Sequence, residues 1–207
     1  MTNSDPGNGT NRNELLQRVE LMETMIAEGR QSTARYGWMF VLWGVVYFAA
    51  VTWTLFLPIK SWAWPICVVV AIAISGVVKS RQKAAGGAEN VRSLSIEAVW
   101  KGMGTATTLF VAAAVLTHHV NSPIFFATIL FFIGMAHAIS AMILRWAVQG
   151  AVAAIWWVGG IACFVFTTPV ELVSIFLGAS FVGMILFGLY TMMLERRRTA
   201  ALVQHNA

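Results

Sequence analysis

The chain has 207 residues, 58% of them apolar and only 11% charged, with a formal net charge of +5. An ordinary soluble domain carries roughly 25% charged residues, so this composition excludes a water-soluble globule, whose surface so few charges could not cover. It also excludes a disordered chain, which needs low hydrophobicity, and the apolar content suffices for about six membrane crossings of roughly 20 residues each.

In chain order, residues 1–12 are rich in Asn, Gly and Ser and read as a disordered tail. Residues 13–35 place Leu15, Val19, Met22 and Ile26 on one helical face among four Glu and three Arg, which predicts a cytoplasmic amphipathic helix. Surface helices that lie on anionic lipid carry a Lys- and Arg-rich polar face. This helix does not, so its apolar stripe is expected to dock on protein: the 79–101 loop, a second copy of the chain, or a cytosolic partner. The first 36 residues hold no apolar core of a cleavable signal peptide, so the first span is expected to be its own insertion signal.

Five charge-free intervals follow, at 36–59, 61–78, 102–144, 146–170 and 172–194. A charge at the bilayer centre costs several kcal/mol, and each interval is long enough to cross. The third must hold two spans, because its midpoint reads Thr117-His118-His119-Val120-Asn121-Ser122-Pro123, a helix-ending and helix-starting run. The predicted fold is therefore an all-α membrane protein with six transmembrane helices in three hairpins, over 37–57, 62–79, 101–118, 123–144, 147–167 and 169–193. The bundle spans 36–194, followed by a basic cytoplasmic tail over 195–207. Pro65, Pro123 and Pro169 lie at or near the starts of returning helices, with Ser122 and Thr168 before them as N-caps.

This threading leaves Lys60 alone on one side and the other thirteen of the 14 Lys and Arg on the opposite side. Positive residues are retained in the cytoplasm, so both termini are expected there, in a bacterial cytoplasmic (inner) membrane. The basic balance is an insertion and anionic-lipid signal, with no aromatic-interleaved patch for nucleic acid. Residues 79–101 form the one sizeable loop of this reading, with a short helical stretch around Val91, Leu94 and Val99. Cys67 and Cys163 sit at similar predicted depths inside spans, which permits a disulfide without arguing for one; small buried side chains are the commoner role.

Motifs of hydrolases, phosphate-binding loops and thiol redox pairs are all missing from the sequence. Glu171, in the first turn of the sixth span, is read as complementing the helix dipole. His137 lies about 20 Å from the outer end of the fourth span. An ionisable group at that depth is a functional candidate, and Ser140, three residues on, shares its face. A neutral histidine bonded to a neighbouring helix is the competing reading. His118 and His119 lie too far along the bundle to join His137 on one haem or metal, so no cofactor and no metal is expected. Trp38, Trp100 and Trp146 fall near the inner interface and Trp62 and Trp64 near the outer one, as a lipid-interface belt requires. Trp156 and Trp157 are mid-span, and either pack beside small residues such as Gly134, Gly150 and Gly183 or line a cavity.

The entry Tyr36-Gly37-Trp38-Met39-Phe40-Val41-Leu42-Trp43-Gly44, with the stretch from Gly134 through Arg145 to Trp156-Trp157, resembles a loosely defined group of uncharacterised bacterial six-span proteins of about 200 residues. That resemblance implies no activity. Two functions remain. The first is a non-enzymatic membrane module whose cytoplasmic face docks a cytosolic protein or a second copy. The second is a small secondary transporter or channel, with His137, Ser140, Trp156 and Trp157 near its pathway. A water-accessible cavity at His137 would favour transport, and a solid core would favour docking.

Overall fold

The computed structural model describes residues 16–19, 37–57, 62–84, 91–120 and 122–205. These residues are helical throughout apart from short turns, with no strand among them. In chain order the helices are α1 (Gly37–Phe56), α2 (Ala63–Ala84), α3 (Val91–Leu116), α4 (Pro123–Leu144), α5 (Ala147–Ala162), α6 (Pro169–Ser180), a π-helical segment π1 (Phe181–Leu186) and α7 (Phe187–His205). Among the described residues five helices are long and apolar enough to cross a membrane: α1, α2 to Arg81, α3 from Leu94, α4, and the continuous run Pro169–Arg197. That is consistent with a multi-pass membrane protein in contact with lipid. The apolar helix α5 is shorter, at 16 residues, about 24 Å against a hydrocarbon thickness of roughly 30 Å.

The boundaries differ from those that the charged residues predict. Helix α2 continues to Ala84 and α3 begins at Val91, so most of the expected 79–101 loop is helical. Lys, Arg, Gln, Glu and Ala are good helix formers: charge ends a hydrophobic stretch without ending hydrogen bonding. The α2 and α3 extensions are tied together by Glu97, which receives the ammonium of Lys79 and, at 2.7 Å, that of Lys101. The sixth expected span is one long helical run, but it is interrupted by π1 and continues to His205. Of the expected amphipathic helix over 13–35, residues 16–19 are described and form a helical turn, with Leu16 and Val19 exposed. Leu15, Met22 and Ile26 lie outside the described residues.

The turns explain why the bundle reverses where it does. Ser122 Oγ accepts from the Phe125 amide at 3.2 Å ahead of Pro123. Thr168 and Glu171 form a reciprocal capping box, with the Thr168 amide donating to the Glu171 carboxylate at 3.0 Å. Glu171 is thus held at the helix start. At the other ends, His118 and Arg145 take left-handed backbone conformations, with φ of 60° and 47°. Each closes a paired hydrogen-bond cap: His119 N to Ala114 O and His118 N to Val115 O, then Trp146 N to Ala141 O and Arg145 N to Met142 O. This is the Schellman pattern, which usually holds glycine at that position.

Packing is uneven. Among the described helices, α4 and α5 share the most extensive contact. Gly134 permits it, because a Cβ there would lie 2.5 Å from the Trp157 ring. Gly37 and Gly188 bring α1 and α7 equally close: a Cβ on Gly188 would meet the Gly37 carbonyl oxygen at 2.7 Å. In lipid, where apolar surface alone drives little helix association, such close approaches supply the dispersion contact. By contrast α2 rests on α1 and α3 on α4, with Ala63 and Ala71 of α2 and Ala114 of α3 buried.

Candidate functional site

His137 occupies the centre of the packed region. Seven residues separate it from Leu144, or about 10 Å of helix, and about 21 Å separate it from Pro123. Its imidazole is fully buried and is enclosed by rings from four other helices. Phe40 of α1 stacks on it at 5.5 Å and Trp156 of α5 at 6.3 Å, while Trp100 of α3 and Phe187 of α7 meet it edge-on at 5.0 and 5.5 Å. Aromatic pairs of this geometry each add roughly 0.5–1.5 kcal/mol beyond their buried area. In this conformation the surroundings of His137 are a closed core.

The polar chemistry of that core is left unmet. Neither imidazole nitrogen of His137 has a hydrogen-bond partner among the described residues, and the same holds for Ser140 Oγ, both amide atoms of Gln149, Trp156 Nε1 and Ser180 Oγ. All five side chains are fully buried. They follow one another along the molecule. From the α4–α5 turn, Gln149 stands about 3 Å up its helix, Ser140 about 6 Å, His137 about 10 Å and Trp156 about 14 Å. Ser180 then precedes π1, whose Gly183 lies against the Trp156 indole: a Cβ on Gly183 would fall 2.2 Å from Trp156 Nε1. A π turn inserts one residue into the α-helical ladder and widens it, and such turns recur at functional sites. Beyond this level the core turns apolar, with Ala127, Leu130, Leu172 and Phe176 buried.

The two adjacent tryptophans separate. Trp156 is fully buried against His137, whereas Trp157 is 39% exposed and flanks a shallow surface groove with Ala138, Met142, Arg145, Trp146 and Gly150. Trp100 turns inward to His137 and Phe40, so its expected place in a lipid-interface belt gives way to core packing. Gln149 and Ser180 are not among the sequence candidates; an isolated amide in the apolar run 147–162 is the signal that marks Gln149. Phe40, Trp100 and Phe187 carried no signal, because apolar helices do not reveal which rings point inward. Cys67 and Cys163 are free thiols, and no group of three or more His, Cys, Asp or Glu suited to a metal occurs among the described residues.

Comparison of the chain with known protein families, with curated proteins and with solved structures gives no match.

Proposed function

We propose that the protein is a small transporter or channel whose pathway runs through the polar core at Gln149, Ser140, His137, Trp156 and Ser180. The reading takes the chain as six crossings in three hairpins, both termini cytoplasmic, in a bacterial inner membrane. Thirteen of 14 Lys and Arg on one side support that threading.

One observation carries the reading: five fully buried polar side chains lack partners among the described residues. Leaving a buried hydroxyl or amide unsatisfied costs roughly 1–3 kcal/mol. Five in one core weigh heavily against the 5–15 kcal/mol that typically holds a fold together. The closed ring cage at His137 is the solid core that by itself favours docking; the unpartnered polar atoms within it turn the balance to transport, since a core selected only for packing would hold Ala and Leu at these positions. The described conformation is then an occluded one, and π1 is the element suited to repacking when the pathway opens. Uptake into liposomes tests this: the parent chain exceeds empty vesicles and His137→Ala loses the excess. Equal leak in empty vesicles would refute transport.

A second reading is a non-enzymatic module that docks a cytosolic protein or a second copy through the N-terminal helix. Its support is the exposure of Leu16 and Val19, at 58% and 47%, on one helical turn. Purification from mild detergent after deletion of residues 1–35 tests it; unchanged oligomeric state and unchanged associated proteins would sink it.

A further inference from the structure

The chemistry of the polar core also limits what can occupy it. From this geometry we infer that the solute is a small neutral molecule bearing both hydrogen-bond donors and acceptors, of the amide or polyol kind, and that it enters from the Arg145 end of the bundle. This rests on the transport reading above.

The argument for neutrality is the placement of charge. Among the described residues the rings against His137 are Phe40, Trp100, Trp156 and Phe187, and none of these is acidic or cationic. The described charged groups lie outside the ring cage, although Glu97 and Lys101 flank Trp100 along α3 and Glu195 sits about 12 Å of helix beyond Phe187 on α7. Glu97 is engaged by Lys79 and Lys101, Glu171 caps α6, Arg145 closes the α4–α5 turn, and Glu195, Arg196 and Arg197 lie toward the end of α7. An ion at the His137 level would be stripped of water with no opposite charge beside it, which is expensive in a low-dielectric core. A neutral solute meets no such penalty. The orphaned atoms offer it a balanced set: donors from Trp156 Nε1, the Gln149 amide nitrogen and the serine hydroxyls, and acceptors from the Gln149 oxygen and an imidazole nitrogen.

The argument for direction is the gradient along the core. Among the fully buried side chains, unpartnered polar atoms run from Gln149, one turn inside the α4–α5 loop, to Trp156 and Ser180. The partly buried Trp38, at the start of α1, and Trp100, against His137, add unpartnered indole nitrogens on the same side, with Ser75 Oγ the one on α2. The far half is lined by Ala127, Leu130, Leu172 and Phe176, with the rings of Tyr47, Trp64 and Phe126 packed around Phe176. Fully buried polar side chains without partners therefore lead from one face to mid-depth and stop.

The test reconstitutes the full chain in liposomes and follows vesicle volume with urea and glycerol, alongside Na⁺, K⁺, Cl⁻ and proton conductance. Urea or glycerol permeability is expected to rise several-fold over empty vesicles with conductance unchanged. Ser140→Ala and Gln149→Leu, each confirmed monodisperse, are expected to cut the excess about tenfold, as loss of one hydrogen bond to a bound solute implies. Ser140→Ala removes one oxygen atom and keeps the test valid where Gln149→Leu fails to fold. Ion conductance without neutral-solute movement would overturn this inference and leave transport standing. Movement of neither would sink both, and neutral-solute movement undiminished in both variants would remove these residues from the pathway.

Discussion

The α4–α5–π1 corner and the α2–α3 flank are both built from strongly apolar helices, yet one is a packed core and the other is nearly all surface. Helix α4 buries Leu130, Ile133, His137, Ser140 and Leu144 along one face. Helix α2 exposes Ile66, Val69, Val70, Ile72 and Ile74, and α3 exposes Leu109 and Val115. Apolarity does not separate the two, because lipid tails solvate Leu and Ile as well as a protein interior does. Close approach separates them. Gly134 and Gly183 lie directly against Trp157 and Trp156, whereas a Cβ at Gly76, Gly102 or Gly104 would meet nothing within 4 Å. A small residue marks an interface only where a partner, a large ring or another helix backbone, occupies the space it leaves.

Substitutions that sharpen this contrast can be ranked. Trp156→Ala should lower unfolding stability in mixed micelles by about 3–5 kcal/mol, as loss of a buried large aromatic does. Val69→Ala, at a residue 64% exposed, should shift it by less than about 0.5 kcal/mol. Equal losses would erase the distinction between core and flank. Next comes Gly183→Ala, which forces a methyl into the Trp156 indole and should cost about 1–3 kcal/mol. Gly104→Ala should be neutral or stabilising by up to about 1 kcal/mol, through helix propensity. Thermal denaturation of the pair side by side reads the difference.

The caps give a smaller effect. His118→Gly should raise stability by up to about 1 kcal/mol by relieving a left-handed backbone, and His118→Val should lower it. A histidine kept there despite a stabilising glycine would be retained for something other than the turn. Smallest is Glu97→Gln, which removes the carboxylate between Lys79 and Lys101. A loss of about 0.2–1 kcal/mol, shrinking in high salt, is expected for such a partly exposed group. A larger loss would make this ion pair a main attachment of the flank.

What the sequence revealed follows the same division. The apolar helices and the Ser122 and Thr168 starts were legible, because charge-free runs and capping residues are local signals. The continuation of α2 through Lys79 and Arg81 was hidden, since helix propensity persists where hydrophobicity stops. The π turn at Phe181–Leu186 had no local signature; it is stated only by the contact between Gly183 and Trp156. The left-handed caps at His118 and Arg145 were equally silent, because neither holds the glycine that announces such a turn. The cage of Phe40, Trp100, Trp156 and Phe187 joins four helices distant in sequence, so periodicity along any one of them could not find it.

The most direct test is the unfolding free energy of the combined variant Ser140→Ala, Gln149→Leu and Ser180→Ala in bicelles. If these groups are held without partners for the sake of a solute, replacing them with apolar atoms removes a desolvation cost, and the variant should match or exceed the parent in stability. A loss of more than about 2 kcal/mol would mean that the three side chains hold the fold together, and the account of an unsatisfied polar core would be wrong.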